Sequence, residues 1–107
     1  MICKSLDHAA VLSILPERAP WAHKGDFGKL LLLCGSRGFT GAAALAAMGA
    51  LRCGAGLVYL GVPESIYAIE ACKLTEAIVF PLPEEEGRLC EKALPEILSQ
   101  LSKMAAV

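Results

Sequence analysis

The sequence has no cluster of basic residues. Its 107 residues include 10 Lys and Arg against 11 Asp and Glu, which gives a formal net charge of -1. A protein that binds nucleic acid must neutralise backbone phosphates with a concentrated positive surface. We therefore expect no nucleic-acid partner.

A long apolar run without charge is also missing. The most membrane-like stretch, residues 38–62, contains Arg52 and is richer in glycine and alanine than in leucine, so its insertion into a bilayer would be unfavourable. Lys4, Asp7 and His8 interrupt the opening segment, which therefore lacks the apolar core of a secretory signal. We expect a cytoplasmic protein that has no membrane partner.

Paired cysteines are absent as well. The cysteines are odd in number and form no C-x-x-C pair; they are Cys3, Cys34, Cys53, Cys72 and Cys90. We expect small buried side chains in a reducing compartment rather than metal ligands or disulfide partners. The acidic run at residues 84–86 predicts a solvated turn and no metal site, because adjacent carboxylates do not converge on one point.

Charged residues are few, at 20%, whereas 55% of residues are hydrophobic. This balance predicts one globular domain over residues 1–107. The mean hydropathy of +0.53 is high for so short a chain, because a small body needs many polar residues to cover its surface. Part of the apolar surface is therefore expected to contact another piece of protein.

What is present is an alternation of strand-like and helix-like segments. The predicted strands are Lys29–Cys34, Leu57–Val62 and Ala77–Phe80, with the first residues of a fourth at Met104–Val107, cut short. The predicted helices are Ser5–Leu15, Ala42–Cys53, Glu64–Lys73 and a segment from Leu89 to Leu101 that Pro95 interrupts. Alternation of this kind predicts an α/β fold with an open parallel sheet, whose first strand should be buried on both faces.

The predicted helix over residues 42–53 is apolar on every side except at Arg52. Ala43, Ala47, Ala50 and Gly54 recur at three- and four-residue spacing, which would let a neighbouring backbone approach closely. A helix that is apolar all round must be covered on all sides. Since three strands cannot do this alone, we expect the chain to be part of a larger body or to associate with a second copy.

A glycine-rich turn, G-S-R-G-F-T-G, joins the first strand to this helix. Gly35, Gly38 and Gly41 match neither the dinucleotide fingerprint nor the phosphate loop, and no lysine follows them. Two interpretations stay open. The turn is either a ligand site at a helix N-terminus, or a tight connection in which Thr40 caps the helix.

His23 is the histidine placed to act as an acid, a base or a ligand, since its ordinary pKa is close to neutral. We favour a loop histidine that bonds to backbone. No arrangement of hydroxyl or thiol with histidine and carboxylate indicates a nucleophile. The residues themselves therefore identify no catalytic group.

Three sequence pieces occur in a specific order: H-K-G-x-x-G from His23, G-S-x-x-x-x-G-A-A from Gly35 and R-x-G-A-G-L-V from Arg52. With them the sequence resembles the ADP-dependent NAD(P)H-hydrate dehydratases, and flanking segments at residues 15–18 and 62–65 extend the likeness over most of the chain. The resemblance implies a three-layer ribokinase-like fold with a parallel sheet. Residues 1–107 would be its N-terminal portion.

By this resemblance the parent enzyme repairs hydrated NADH and NADPH, using ADP or ATP with Mg²⁺ to phosphorylate the hydroxyl that leaves. An alanine of the G-A-A segment would lie against the hydrated dinucleotide. That alanine is Ala42 or Ala43, with Gly41 as the close-approach residue beside it. Gly35, Ser36, Gly38 and His23 are further candidates for the same site.

The family's G-P-G turn, T-P-H-P-G-E segment and G-T-G-D loop with its catalytic aspartate are absent from the chain. The resemblance therefore implies that the chain has no catalytic residue, does not bind ADP, ATP or Mg²⁺ through its own residues, and is inactive alone. It would contribute part of the substrate pocket and of the contacts in a homo-oligomer. Its expected partners are the missing C-terminal half and the hydrated NAD(P)H substrate.

Two other hypotheses remain. One keeps the ribokinase-like fold but makes the parent a kinase of a small substrate such as a sugar or hydroxymethylpyrimidine. The other makes the chain a complete, non-catalytic α/β module that hides its apolar helix in a homo-oligomer.

Overall fold

A parallel sheet lies at the centre of the computed structural model, which describes residues 3–107. Residues 1 and 2 of the predicted domain lie outside the described residues. The sheet strands, in spatial order, are β1 (Lys29–Leu33), β2 (Leu57–Pro63) and β3 (Ile78–Leu82). The helices are α1 (His8–Ile14), α2 (Thr40–Arg52), α3 (Tyr67–Lys73) and α4 (Leu94–Leu101). The prediction of an α/β fold with a parallel sheet is confirmed.

The two helices that connect the sheet strands pack on one face of the sheet. Ala43 and Ala47 of α2 are fully buried and belong to one core with Val58, Leu60 and Val62 of β2. The methyl side chains let α2 lie close to the strands. This is the small-residue face that the sequence spacing predicts.

The outer face of α2 stays apolar and uncovered. Leu45 is 72% exposed and Met48 is 42% exposed, and Ala42 and Ala46 are also exposed. The chain as a whole exposes 7611 Å², whereas a finished domain of its mass would expose roughly 5,700 Å². Its radius of gyration is 16.2 Å, compared with about 13 Å for a compact domain of this length. The surface is therefore larger than a closed domain of this size requires.

The expectation that β1 is buried on both faces is wrong for this chain. Leu31 is fully buried, but Leu30, Leu32 and Leu33 are half-buried. The free edge of β1 is covered only by the end of the chain. There Ala106 bridges Leu30 in parallel, and the Leu31 N–H donates to the Ala106 carbonyl at 3.0 Å. The predicted start of a fourth strand is thus present as a single bridge.

The segment after β3 differs from the predicted helix over residues 89–101. A hairpin of β4 (Glu84–Glu85) and β5 (Arg88–Leu89) comes first, so Leu89 lies in a strand. α4 then begins at Leu94, and Pro95 occupies its first turn. Proline is tolerated there because the N–H groups of a first turn have no partner within the helix. Pro95 therefore starts the helix rather than interrupting it.

The prediction that the cysteines are buried is also wrong. Cys3, Cys53 and Cys72 are exposed, and Cys34 and Cys90 are half-buried; all five are free thiols. The cysteines are exposed or half-buried because they lie on outward-facing positions of helices and loops. The sequence spacing did not show which face of each element points outwards. Within residues 3–107, no helix has the length and apolarity needed to cross a bilayer.

Candidate functional site

Three connections meet at the carboxyl edge of the sheet, where β1, β2 and β3 end. They are residues 34–39, residues 64–66 and residues 83–87, which include β4 and the turn of the hairpin. The Arg37 N–H donates to the Gly87 carbonyl at 2.9 Å and joins the first connection to the third. In open α/β sheets ligands bind in the crevice outside this edge. The glycine-rich turn therefore lies where the fold places a ligand site.

Gly35 begins the turn and must be glycine for two reasons. Its φ angle is +90°, in the left-handed region that other residues avoid. A Cβ added there would also lie 3.1 Å from the Ala43 Cβ and 3.0 Å from the Ile66 Cδ1. Gly35 is therefore a packing residue that brings the turn down onto α2 and onto the connection after β2.

Gly38 and Gly41 are different, because they are open. A Cβ at either position would meet no atom within 4 Å. Gly38 has a φ angle of +85°, and the Phe39 N–H donates to the Ser36 carbonyl at 2.8 Å, which closes a tight turn. Both interpretations of the turn thus have a structural counterpart: it is tight, and it leaves backbone open to an approaching molecule.

Thr40 does not cap α2, so that part of the tight-connection interpretation is wrong. Phe39 is the N-cap residue, and its side chain makes no capping hydrogen bond. Thr40 is the first residue of the helix, and its Oγ1 accepts a hydrogen bond of 2.7 Å from the Lys73 Nζ. The hydroxyl oxygen therefore accepts from α3 while its own hydrogen stays free, and the first-turn N–H groups of α2 receive no acceptor from the N-cap side chain.

The two candidate alanines have opposite environments. Ala43 has no exposed surface and lies beneath Gly35, whereas Ala42 and Gly41 are exposed. A ligand at the surface of the turn can reach Ala42 and Gly41 without displacing any side chain. Ser36 is half-buried within the turn.

The structure does not bring His23 to this edge. His23 precedes the short 3-10 helix Lys24–Phe27, which comes before β1 and so lies at the opposite edge of the sheet. Its imidazole Nε2 lies 3.4 Å from the Asp26 Oδ1, and its backbone N–H donates to the Asp26 Oδ2 at 3.0 Å. The two residues form a capping box in which the His23 side chain also faces the Asp26 backbone N–H, so this loop histidine contacts backbone as well as the carboxylate.

Glu70 is a buried charge that the sequence reasoning missed. Its side chain has no exposed surface, and neither carboxylate oxygen has a hydrogen-bond partner among the described residues. The Lys73 Nζ lies 3.8 Å from Glu70 Oε1. The spacing of Ile66, Glu70 and Leu74, four residues apart and all buried, was the signal that could have found it.

Glu84 is more than a solvated acidic residue. Its Oε2 accepts hydrogen bonds from the Ser65 N–H at 3.1 Å and from the Ser65 Oγ at 2.6 Å. The Ser65 hydroxyl, then the Ser65 N–H, lowers the pKa of the Glu84 carboxyl. This contact holds the hairpin against the connection after β2.

Residues 3–107 contain no group of three or more His, Cys, Asp or Glu side chains able to hold a metal ion.

Burial raises the pKa of the Cys34 thiol, and the nearby Glu70 carboxylate raises it further. The thiolate is the reactive form, so a raised pKa slows alkylation. We expect iodoacetamide at about pH 8 to label the exposed Cys3, Cys53 and Cys72 at least about tenfold faster than Cys34, read by mass spectrometry of the peptides. Glu70→Gln should speed Cys34 labelling, whereas Glu76→Gln should not. Equal rates at all five thiols would contradict the burial described for Cys34.

A separate cleft of about 700 Å³ lies at the opposite edge of the sheet. It is lined by residues 15–19, 21–22, 26–27 and 53–54, and Arg18 stacks on the Phe27 ring at 4.1 Å. Trp21 in this cleft is 85% exposed. This cleft is thus distinct from the glycine-rich turn.

Comparison with solved structures first defines the class. A ribokinase-like superfamily protein from Enterococcus faecalis V583 superposes with a TM-score of 0.66 over 92% of this chain and 40% of that protein, at 18% identity. Such a likeness shows the fold alone. The chain has a ribokinase-like α/β fold, as the resemblance implied.

The family is narrower than the fold. The family model described as NAD(P)H-hydrate dehydratase matches residues 30–107, and the chain belongs to this family. The bifunctional NAD(P)H-hydrate repair enzyme Nnr of Moorella thermoacetica is 44% identical over 86% of the chain, which spans 18% of that protein. The ADP-dependent (S)-NAD(P)H-hydrate dehydratase of Streptococcus pneumoniae is 38% identical over 78% of the chain and 29% of that protein.

A solved structure supports the same relationship. The ADP/ATP-dependent NAD(P)H-hydrate dehydratase from Bacillus subtilis, co-crystallised with ATP and Mg²⁺, superposes with a TM-score of 0.61 at 38% identity. The superposition covers 74% of this chain and 27% of that enzyme. The chain therefore spans less than a third of the length of these relatives.

Proposed function

We propose that the chain is the N-terminal part of a ribokinase-like domain that repairs hydrated NADH and NADPH, and that it supplies one wall of the substrate pocket. The family match over residues 30–107 carries this proposal. The open backbone at Gly38 and Gly41, at the carboxyl edge of the sheet, supports the position of the wall. The excess surface supports a larger body, because the outer face of α2 is apolar and stays exposed among the described residues.

Within that wall, Gly41 and Ala42 are the residues proposed to face the dinucleotide. Both are exposed, and both present little bulk at the start of α2, so a ring of the dinucleotide can lie close to the backbone. Ala43 is proposed to act indirectly: it packs under Gly35 and so sets the distance between the turn and α2. Gly35, Ser36 and Gly38 would hold the shape of the turn, and His23 would lie outside the pocket.

We propose that the nucleotide and its metal are not bound by residues of this chain. The described residues 3–107 contain no group of three or more His, Cys, Asp or Glu side chains able to hold a metal ion, and the glycine-rich turn lacks the lysine of a phosphate loop. We therefore propose that ADP or ATP with Mg²⁺ is held by residues outside the chain. Elimination of water would also depend on those residues, so the chain alone should have no activity.

A chimera tests the proposal. The matching segment of the Bacillus subtilis dehydratase would be replaced by residues 23–107 of this chain, and ADP-dependent conversion of hydrated NADH to NADH would be followed by absorbance. We expect activity within about tenfold of the parent enzyme, because the proposal makes this chain's pocket wall equivalent to the segment that it replaces. The 107-residue chain, assayed in parallel, should give the blank rate.

The chimera also separates the alternatives. A folded chimera, judged by circular dichroism, that binds nucleotide yet leaves hydrated NADH unchanged would refute the dehydratase proposal. Phosphorylation of a sugar or pyrimidine alcohol by that chimera would favour the kinase. Activity of the isolated chain would refute the proposal that the nucleotide and its metal are held by residues outside the chain.

A further inference from the structure

The start of α2 presents hydrogen-bond donors that lack an acceptor. The first N–H groups of a helix have no partner within it, and here the N-cap residue, Phe39, provides no side-chain oxygen. The 13 residues of α2 align their peptide dipoles so that this end is partly positive. Gly41, in the first turn, has open space where a side chain would otherwise stand.

Lys73 adds a cation at the same place. Its ammonium donates to the Thr40 Oγ1 at 2.7 Å, although Lys73 lies 33 residues away on α3. An ammonium has three donors, and Thr40 takes one of them. The Lys73 side chain is 39% exposed, so it is in contact with solvent.

Glu70 explains why the ammonium stays there. Its carboxylate is completely buried, accepts no hydrogen bond from the described residues, and lies 3.8 Å from the ammonium. A buried carboxylate without a partner is costly, so it holds the nearest cation by charge alone. At 3.8 Å the pair is longer than a hydrogen bond, which leaves the ammonium free to make a closer contact on its other side.

We propose that the Lys73 ammonium, the Thr40 hydroxyl and the first-turn N–H groups of α2 form an anion subsite that takes a phosphate oxygen. Glu70 lies behind the ammonium as its counter-charge and does not touch the ligand. The subsite deepens the proposed function, on which it rests for the source of the phosphate: the pyrophosphate bridge of a dinucleotide whose ring lies over Gly41 and Ala42.

Inorganic pyrophosphate is the probe, added to the isotopically labelled 107-residue chain at constant ionic strength and followed by amide chemical shifts in NMR spectra. We expect the amides of Gly41 and Ala42 to shift. Lys73→Met should weaken this binding at least about tenfold, because it removes a charge-assisted hydrogen bond. Lys103→Met, an exposed lysine beyond α4, removes the same charge and should change affinity less than about twofold.

Glu70→Gln distinguishes a counter-charge from a merely structural residue. Removing the negative charge behind the ammonium should tighten pyrophosphate binding roughly three- to tenfold, the opposite sign to Lys73→Met. Weaker binding in both variants would overturn the proposal, as would the absence of shifts at Gly41 and Ala42. If Lys73→Met does not fold, Lys73→Arg decides: it keeps the charge and must keep binding within about threefold.

These outcomes are independent of catalysis. If Lys73→Met weakens and Glu70→Gln tightens pyrophosphate binding while the chimera is inactive, the anion subsite is kept and the dehydratase proposal is rejected. An active chimera beside a chain that does not bind pyrophosphate would reject the subsite alone.

Discussion

Replacing Gly56 by alanine is expected to cost at least about 3 kcal/mol of unfolding free energy, a large share of the stability of a small domain. A Cβ at Gly56 would overlap the Lys24 carbonyl oxygen and would lie 3.0 Å from the Gly28 carbonyl oxygen. Both obstacles are backbone, so no side-chain rotation relieves them. The change would separate the Lys24–Phe27 turn from the start of β2, where the Gly56 N–H donates to the Phe27 carbonyl at 3.2 Å.

Thermal unfolding followed by circular dichroism measures this effect, and we expect the midpoint to fall by about 12 °C or more. Gly49→Ala is the matched control. Gly49 lies inside α2, and its added Cβ would meet no atom within 4 Å. That substitution should raise stability by about 0.5–1 kcal/mol, because glycine is the poorer helix former. Similar midpoints for the two variants would contradict the close approach described at Gly56.

Ala42→Trp is expected to reduce kcat/KM for hydrated NADH at least about 100-fold in the Bacillus chimera, mainly by raising KM. The reason is steric: Ala42 is exposed at the start of α2, and an indole there would occupy the space proposed for the dinucleotide. Stability should change little, because no packed side chain is displaced. Steady-state kinetics with limiting hydrated substrate measure the change.

Ala71→Trp is the control for bulk, because Ala71 is an exposed alanine on α3. It should leave kcat/KM within about threefold of the unmodified chimera. Ala42→Ser, a small change at the same position, should do likewise. If the tryptophan at position 42 left KM unchanged, the dinucleotide would have to lie elsewhere, and the assignment of Gly41 and Ala42 to the pocket wall would be abandoned.

Much of the backbone could be predicted because its signals are local. The leucine run at residues 30–33 and the β-branched and aromatic run at residues 57–62 lie in sheet strands as predicted, since both are short apolar runs next to glycine. The small-residue face of α2 was also predictable, because Ala43 and Ala47 recur at helical spacing. Errors occurred where two local signals competed, as at Leu89 and Pro95, which belong to a hairpin and a helix start.

The candidate site was predictable in part. A glycine-rich turn after a buried strand indicates where the ligand edge of the sheet lies, and the sequence placed Gly35, Gly38 and Gly41 there. Sequence could not show that Gly35 is packed and Gly38 is open, because the distinction depends on Ile66 and Ala43 across the turn. The same limit hid the pairing of Thr40 with Lys73, which joins residues 33 positions apart.

The sequence by itself determined the alternation of strands and helices, the parallel sheet and the family, because these follow from hydrophobic period, glycine placement and short motifs along the chain. Tertiary structure alone decided which alanine is exposed, which cysteines are covered and that Glu70 is buried beside Lys73. The reason is that burial and charge pairing depend on contacts between segments far apart in sequence. Local patterns carry the propensity of each segment but not the identity of its neighbours.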